Sequence, residues 1–177
     1  MNPSIDRRAL APVCSSLILL LCTFNLSCSS NPCAPVLSAV KRLREVPNHY
    51  VASYWVADGR EDNSEGMEID GFSYIRDGGD WTIDESRTAT RTQMQVFQFA
   101  SKGSCHLERS ELVDGEAAYY YVLEGKQNGL KVDIEVWLSK ATGLMTRVNL
   151  RMQGGVYDGH GTFRYDYANI SAPIVSK

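Results

Sequence analysis

Histidine is scarce: His49, His106 and His160 are the only three in 177 residues. Scattered as they are, they do not combine with Cys33 and Cys105 into the donor set that a structural zinc needs. Basic excess is missing too. Eighteen Lys and Arg face 21 Asp and Glu, for a net charge of −3, so no basic patch argues for nucleic acid. There is no internal repeat, no low-complexity tract and no second-domain linker, which leaves one module. A phosphate loop is absent as well. Asp77-Gly78-Gly79-Asp80 and Gly154-Gly155 are turn chemistry without the strand-to-helix context such a loop requires.

Catalytic constellations are equally thin. Asp133 and Glu135 share a strand face with Lys131 and read as a solvated face. Cys105 and His106 are adjacent on a strand, so they point to opposite sides and cannot readily act as a thiol-imidazole pair. Asp158, His160 and Asp166 read as a loop entering the last strand rather than a cation site. The expectation is a protein that is not an enzyme and carries no cofactor.

Long apolar runs are confined to the N-terminus. Arg7 and Arg8 precede the stretch LAPVCSSLILLLCTFNL and the small residues Ser27, Cys28, Ser29 and Ser30. This marks residues 1–27 as an export signal, with an uncleaved N-terminal anchor as the alternative. Leu26-Ser27-Cys28 resembles the lipobox of bacterial lipoproteins, which implies acylation of Cys28. Asn25 departs from the Leu usual in that pattern, and ordinary cleavage near Ser30 is the other reading. The resemblance further implies that Ser29 would not retain the protein at an inner membrane. The expected location is the periplasm, anchored to the outer membrane through Cys28. Two acyl groups suffice for stable anchoring, whereas one binds only marginally.

Of five cysteines, Cys14 and Cys22 leave with the signal and Cys28 is acylated or removed. Cys33 and Cys105 remain. An even remainder in an oxidising compartment points to one disulfide, with two unpaired thiols as the alternative.

Beyond a short tether at 28–34, Val36, Leu37, Val40, Leu43 and Val46 form one apolar stripe of a helix that follows Pro32 and Pro35 and ends at Pro47. Asn48 to Ala57 reads as a strand. Short hairpins follow, turned at Asp58-Gly59, Asp70-Gly71 and residues 77–80. From Thr88 to Ala100 the spacing of Met94, Val96, Phe97 and Phe99 suits a second helix. The remainder, Cys105 to Ile170, reads as an antiparallel meander. Leu130, Val132, Ile134, Val136 and Leu138 alternate with Lys131, Asp133, Glu135 and Trp137, and Leu144 to Met152 repeats the pattern.

That order, with the strings SYIRDGGDW, CHLERSELVDGEAAYYYVLEG, VWLSKATGLMTRV and FRYDYANISAP, resembles the LolA/LolB-like half-barrel superfamily of exported bacterial proteins, which includes lipoprotein carriers and LppX-like members. Met145 stands where Pro is commoner. The resemblance implies an α+β fold: an open curved antiparallel sheet with two helices covering its concave face, formed by residues 35–173, with a C-terminal tail at 174–177. It also implies a hydrophobic ligand, either a lipid or the acyl chain of an envelope lipoprotein, held between sheet and helices. Continuity of the apolar stripe selects Val132, Ile134, Val136, Leu138, Val148 and Leu150 as its lining, covered by Val40, Leu43 and Phe97. The Trp137 face, which carries Lys131, Asp133 and Glu135, is expected to be mostly wet. The competing expectation is a structural or protein-interaction lipoprotein with a filled core.

Overall fold

The computed structural model describes residues 31–56, 59–76, 78–85, 95–98, 100–127, 129–154 and 158–175. Helix α1 (Ala34–Arg42) starts with Pro35 in its first turn, where a missing N–H costs nothing, and buries Val36, Ala39 and Val40 along one stripe. Its end is capped from outside. The buried Asn48 side chain donates to the carbonyls of Leu43 (2.7 Å) and Val46 (2.9 Å), satisfying groups that the helix cannot. Asn48 therefore both closes the helix and opens the first strand.

The strands form two antiparallel meanders. The first comprises β1 (Asn48–Val56), β2 (Glu61–Ile69), β3 (Phe72–Arg76) and β4 (Thr82–Ile83). The second comprises β5 (Ser104–Val113), β6 (Glu116–Gln127), β7 (Leu130–Ser139), β8 (Met145–Gln153) and β9 (Gly159–Asp166). β9 pairs with β1, joining them into one open nine-stranded sheet of order β4-β3-β2-β1-β9-β8-β7-β6-β5. Asp70-Gly71 and Asp114-Gly115 each link neighbouring strands as two-residue turns with positive φ at both positions, the backbone twist that matches a right-handed hairpin. Near the C-terminus Val175 bridges Trp81.

Register assigns every side chain to a face. On the inner face, Leu123, Ile134, Leu150 and Gly161 lie in one row across β6 to β9, and Tyr121, Val136, Val148 and Phe163 in the next. α1 packs on this side, and so does a helical segment at 95–98. Residues 86–94 and 99, which include Met94, Phe99 and the start of the expected second helix, lie outside the described residues, as do residues 1–30. The architecture is thus the α+β half-barrel, with its helices on one face of the sheet.

Two local expectations change. β2 begins at Glu61, well before the Met67-Ile69 alternation, because its polar half EDNSE pairs with β1 from Glu65 opposite Val51 to Glu61 opposite Trp55. The Trp137 face is also not simply wet. Trp137 is 7% exposed and forms a second small core with Ala118 and Tyr120. Side chains from neighbouring strands cover it: Arg147 lies over the Trp137 ring and Arg109 over the Tyr120 ring.

Candidate functional site

The inner face gathers the aliphatic residues singled out in the sequence. Val132, Ile134, Val136, Leu138 and Val148 from the sheet meet Val40 and Leu43 from the α1 end of the chain and Phe97 from the second helical segment in one cluster. None of these eight is more than 4% exposed, and Val136 is wholly inaccessible. Leu150 is half-buried against the same cluster. Burying each such side chain contributes about 1.5–3 kcal/mol, so this seam supplies much of the drive for folding.

Three further features complete it. Cys33 and Cys105 are joined in a disulfide with Cα atoms 5.6 Å apart. Both belong to the same apolar region, Cys33 fully buried just ahead of α1 and Cys105 half-buried opposite Leu123, so the bridge fastens the start of α1 to β5. At the other end Tyr167 reaches in from beyond β9, and its hydroxyl donates to the Met145 carbonyl at 2.8 Å. Burial pushes its phenol well above the ordinary tyrosine range. Arg42 at the end of α1 donates to the Thr142 carbonyl (2.7 Å), a second tie between helix and sheet. Among the described residues the seam is apolar, and these polar clasps lie at its rim.

The outer face holds the polar residues. Tyr120 donates to Glu135 (2.9 Å), Asn149 donates to the other oxygen of Glu135 (2.7 Å), and Thr162 donates to Asn149 (3.1 Å), a ladder across β6 to β9. Burial, then the Glu135 bond, raises the Tyr120 phenol to about 12. Sequence periodicity had placed Glu135 on a solvated face; here it holds two donors. Asp133 is paired with Lys131 at 2.8 Å. Cys105 and His106 do point to opposite faces, and His106 bonds Glu108 instead.

Asp158, His160 and Asp166 are not brought together. Asp158 accepts from the Gly154 backbone, His160 stacks on Trp55 with centroids 4.7 Å apart, and Asp166 accepts from the Ala168 N–H. Among the described residues no group of three or more His, Cys, Asp or Glu is placed to hold a metal ion. Cys28 lies outside the described residues.

No protein-family profile and no curated protein sequence matches the chain. Solved structures do. The chain is similar to MucB in the MucA/MucB complex of Pseudomonas aeruginosa, at 14% identity and a TM-score of 0.44, covering 78% of this chain and 57% of that one. It is similar to the Mycobacterium tuberculosis lipoprotein LppX, at 11% identity and a TM-score of 0.44, covering 78% and 98%. A LolA superfamily protein from Nitrosomonas europaea matches at 10% identity and a TM-score of 0.32, covering 74% and 90%. The chain spans less than two thirds of the MucB chains it matches.

Proposed function

We propose that the protein is a non-enzymatic, exported cell-envelope protein that binds a hydrophobic ligand, a lipid or a lipoprotein acyl chain, between its helices and the inner face of its sheet. The observation that carries this reading is the seam of Val132, Ile134, Val136 and Val148 under Val40, Leu43 and Phe97, an apolar surface continuous across strands and helices. Its side chains close against one another, so an acyl chain enters by lifting α1. The disulfide would keep the start of α1 attached while its far end moves, and the Arg42 clasp on Thr142 is the contact that must open. A chain that enters in this way replaces aliphatic contacts with aliphatic contacts, at little net cost in apolar burial. Acylated Cys28 is the anchor in this reading, and intact mass of the mature protein tests it. A mature chain starting elsewhere, or without added lipid mass, removes the anchor.

The second reading is a structural or interaction protein with a filled core. The close packing of the eight seam residues favours it, as do Leu107 and Leu112 on edge strand β5, which are 49% and 73% exposed. Native mass spectrometry of protein taken from its own membrane separates the two. A co-purifying lipid supports the carrier, and lipid-free protein supports the scaffold.

A further inference from the structure

Strand β5 closes one end of the sheet, and among the described residues no strand pairs its outer edge. At the other end β4 is only 2 residues long, a short edge that offers little to pair with, whereas β5 runs for 10. Leu107 and Leu112 on β5 are 49% and 73% exposed, and Tyr119 on neighbouring β6 is 39% exposed. Leu107 stands opposite Tyr121, Leu112 opposite Ala117, and Tyr119 opposite Leu138. Tyr121 and Leu138 belong to the inner cluster, so alternation puts all three exposed side chains on the inner face. The apolar stripe of that face therefore runs on, uncovered, to the rim of the sheet.

The same strand carries a bulge: its register with β6 shifts between Leu107 and Arg109, leaving Glu108 as the extra residue. Cys105 and Leu107 before it and Ser110 and Leu112 after it face inward, while His106, Arg109 and Glu111 face outward. We infer that this edge pairs with β5 of a second copy of the chain, antiparallel about a twofold axis between Glu108 and Arg109. Leu107 then meets Ser110 of the other copy and Cys105 meets Leu112 on the inner face, His106 meets Glu111 on the outer face, and Glu108 meets Arg109 at the axis. Moving the pairing by one position sets Glu108 against Glu108 or Arg109 against Arg109, and opposes inward residues to outward ones. Moving it by two sets Glu108 against Glu111 or His106 against Arg109. Within each strand His106 already bonds Glu108 and Arg109 bonds Glu111, so pairing joins these couples across the axis and strands no charge. Charges and bulges ordinarily blunt an exposed edge. Here both are self-complementary, which selects a second copy over an unrelated strand. The inference is independent of what the inner seam binds, because association is read as mass and not as ligand uptake.

The test is sedimentation equilibrium of the full chain, disulfide intact, in density-matched detergent that keeps its N-terminal apolar run in solution. A reversible dimer is expected, with a Kd below about 1 mM, as befits a small interface. Glu108→Arg, which opposes like charges at the axis, and Leu112→Lys should each weaken it at least about tenfold. Combining Glu108→Arg with Arg109→Glu returns unlike charges to the axis and should restore the dimer. Thermal unfolding checks the fold of every variant, and Leu112→Lys, at an exposed position, keeps the test decisive if a charge reversal unfolds the chain. Monomer alone up to about 1 mM overturns the inference and leaves the edge to a different chain. So do a dimer of wild-type strength in folded Glu108→Arg and Leu112→Lys, and a folded double variant that stays monomeric.

Discussion

Trp137 on β7 donates its indole N–H to the carboxylate of Glu111 on β5, reaching across β6. Arg109 bonds the same carboxylate, and the two donors hold the acid below its ordinary range, the indole bond first and the guanidinium second. A depressed carboxylate stabilises the fold above its unfolded value and loses that contribution as the pH falls through the folded one. Trp137 emission should therefore shift on acidification at a pH below the usual glutamate range, and Glu111→Gln should flatten that transition. An unchanged transition in Glu111→Gln would assign it to another group.

Tyrosine ionisation gives the alkaline counterpart. Burial first, then the charge of Glu68, raises Tyr50 to about 12, and Tyr120 rises to about 12 for related reasons. A raised phenol stabilises the fold fully below the unfolded value near 10 and loses that stability as the pH climbs towards 12. Tyrosinate absorbance should show a late-titrating class, which Tyr120→Phe reduces by one residue. Titration of all tyrosines together in the folded protein would contradict this.

The disulfide between Cys33 and Cys105 spans a sequence separation of 72. In the chain-entropy treatment a loop of that length stabilises the fold by about 4 kcal/mol. Double replacement by serine should lower unfolding free energy by about that much in denaturant titrations. A loss under about 1 kcal/mol would show that the unfolded chain is not restrained by the bridge.

Gly66 is a glycine for lack of room: a Cβ there would overlap the hydroxyl end of the Tyr50 side chain, whose ring packs at a tilt on Tyr165. Gly66→Ala should destabilise by about 1–3 kcal/mol. In Gly66→Ala with Tyr50→Leu the two losses should not add, because the smaller side chain makes way for the methyl group. Strict additivity would mean that the Tyr50 ring already has somewhere else to go.

Legibility in the sequence followed local period. β7 and β8 announce themselves by alternation, and the same alternation assigns Val132, Ile134, Val136, Leu138 and Val148 to one face, where the register indeed gathers them. α1 shows the three- and four-residue spacing of Val36, Val40 and Leu43. Strand β2 was half missed because EDNSE contains no apolar residue, and its strand state comes from pairing with β1. The outer core was missed for a related reason. Burial of Trp137 depends on Arg109, Glu111 and Arg147, side chains of other strands, and no periodicity within KVDIEVWLS can encode them. The union of the two meanders through β1 and β9 is likewise a long-range pairing without a local signal.

The central claim is that the seam beneath α1 opens to an acyl chain, and uptake of a fluorescent fatty acid by the full chain with its disulfide intact tests it most directly. Wild type should show saturable uptake, and folded Val136→Trp, which fills the seam without adding charge, should lose at least about tenfold in affinity. Saturable uptake that Val136→Trp leaves unchanged, or no saturable uptake by wild type, would contradict it.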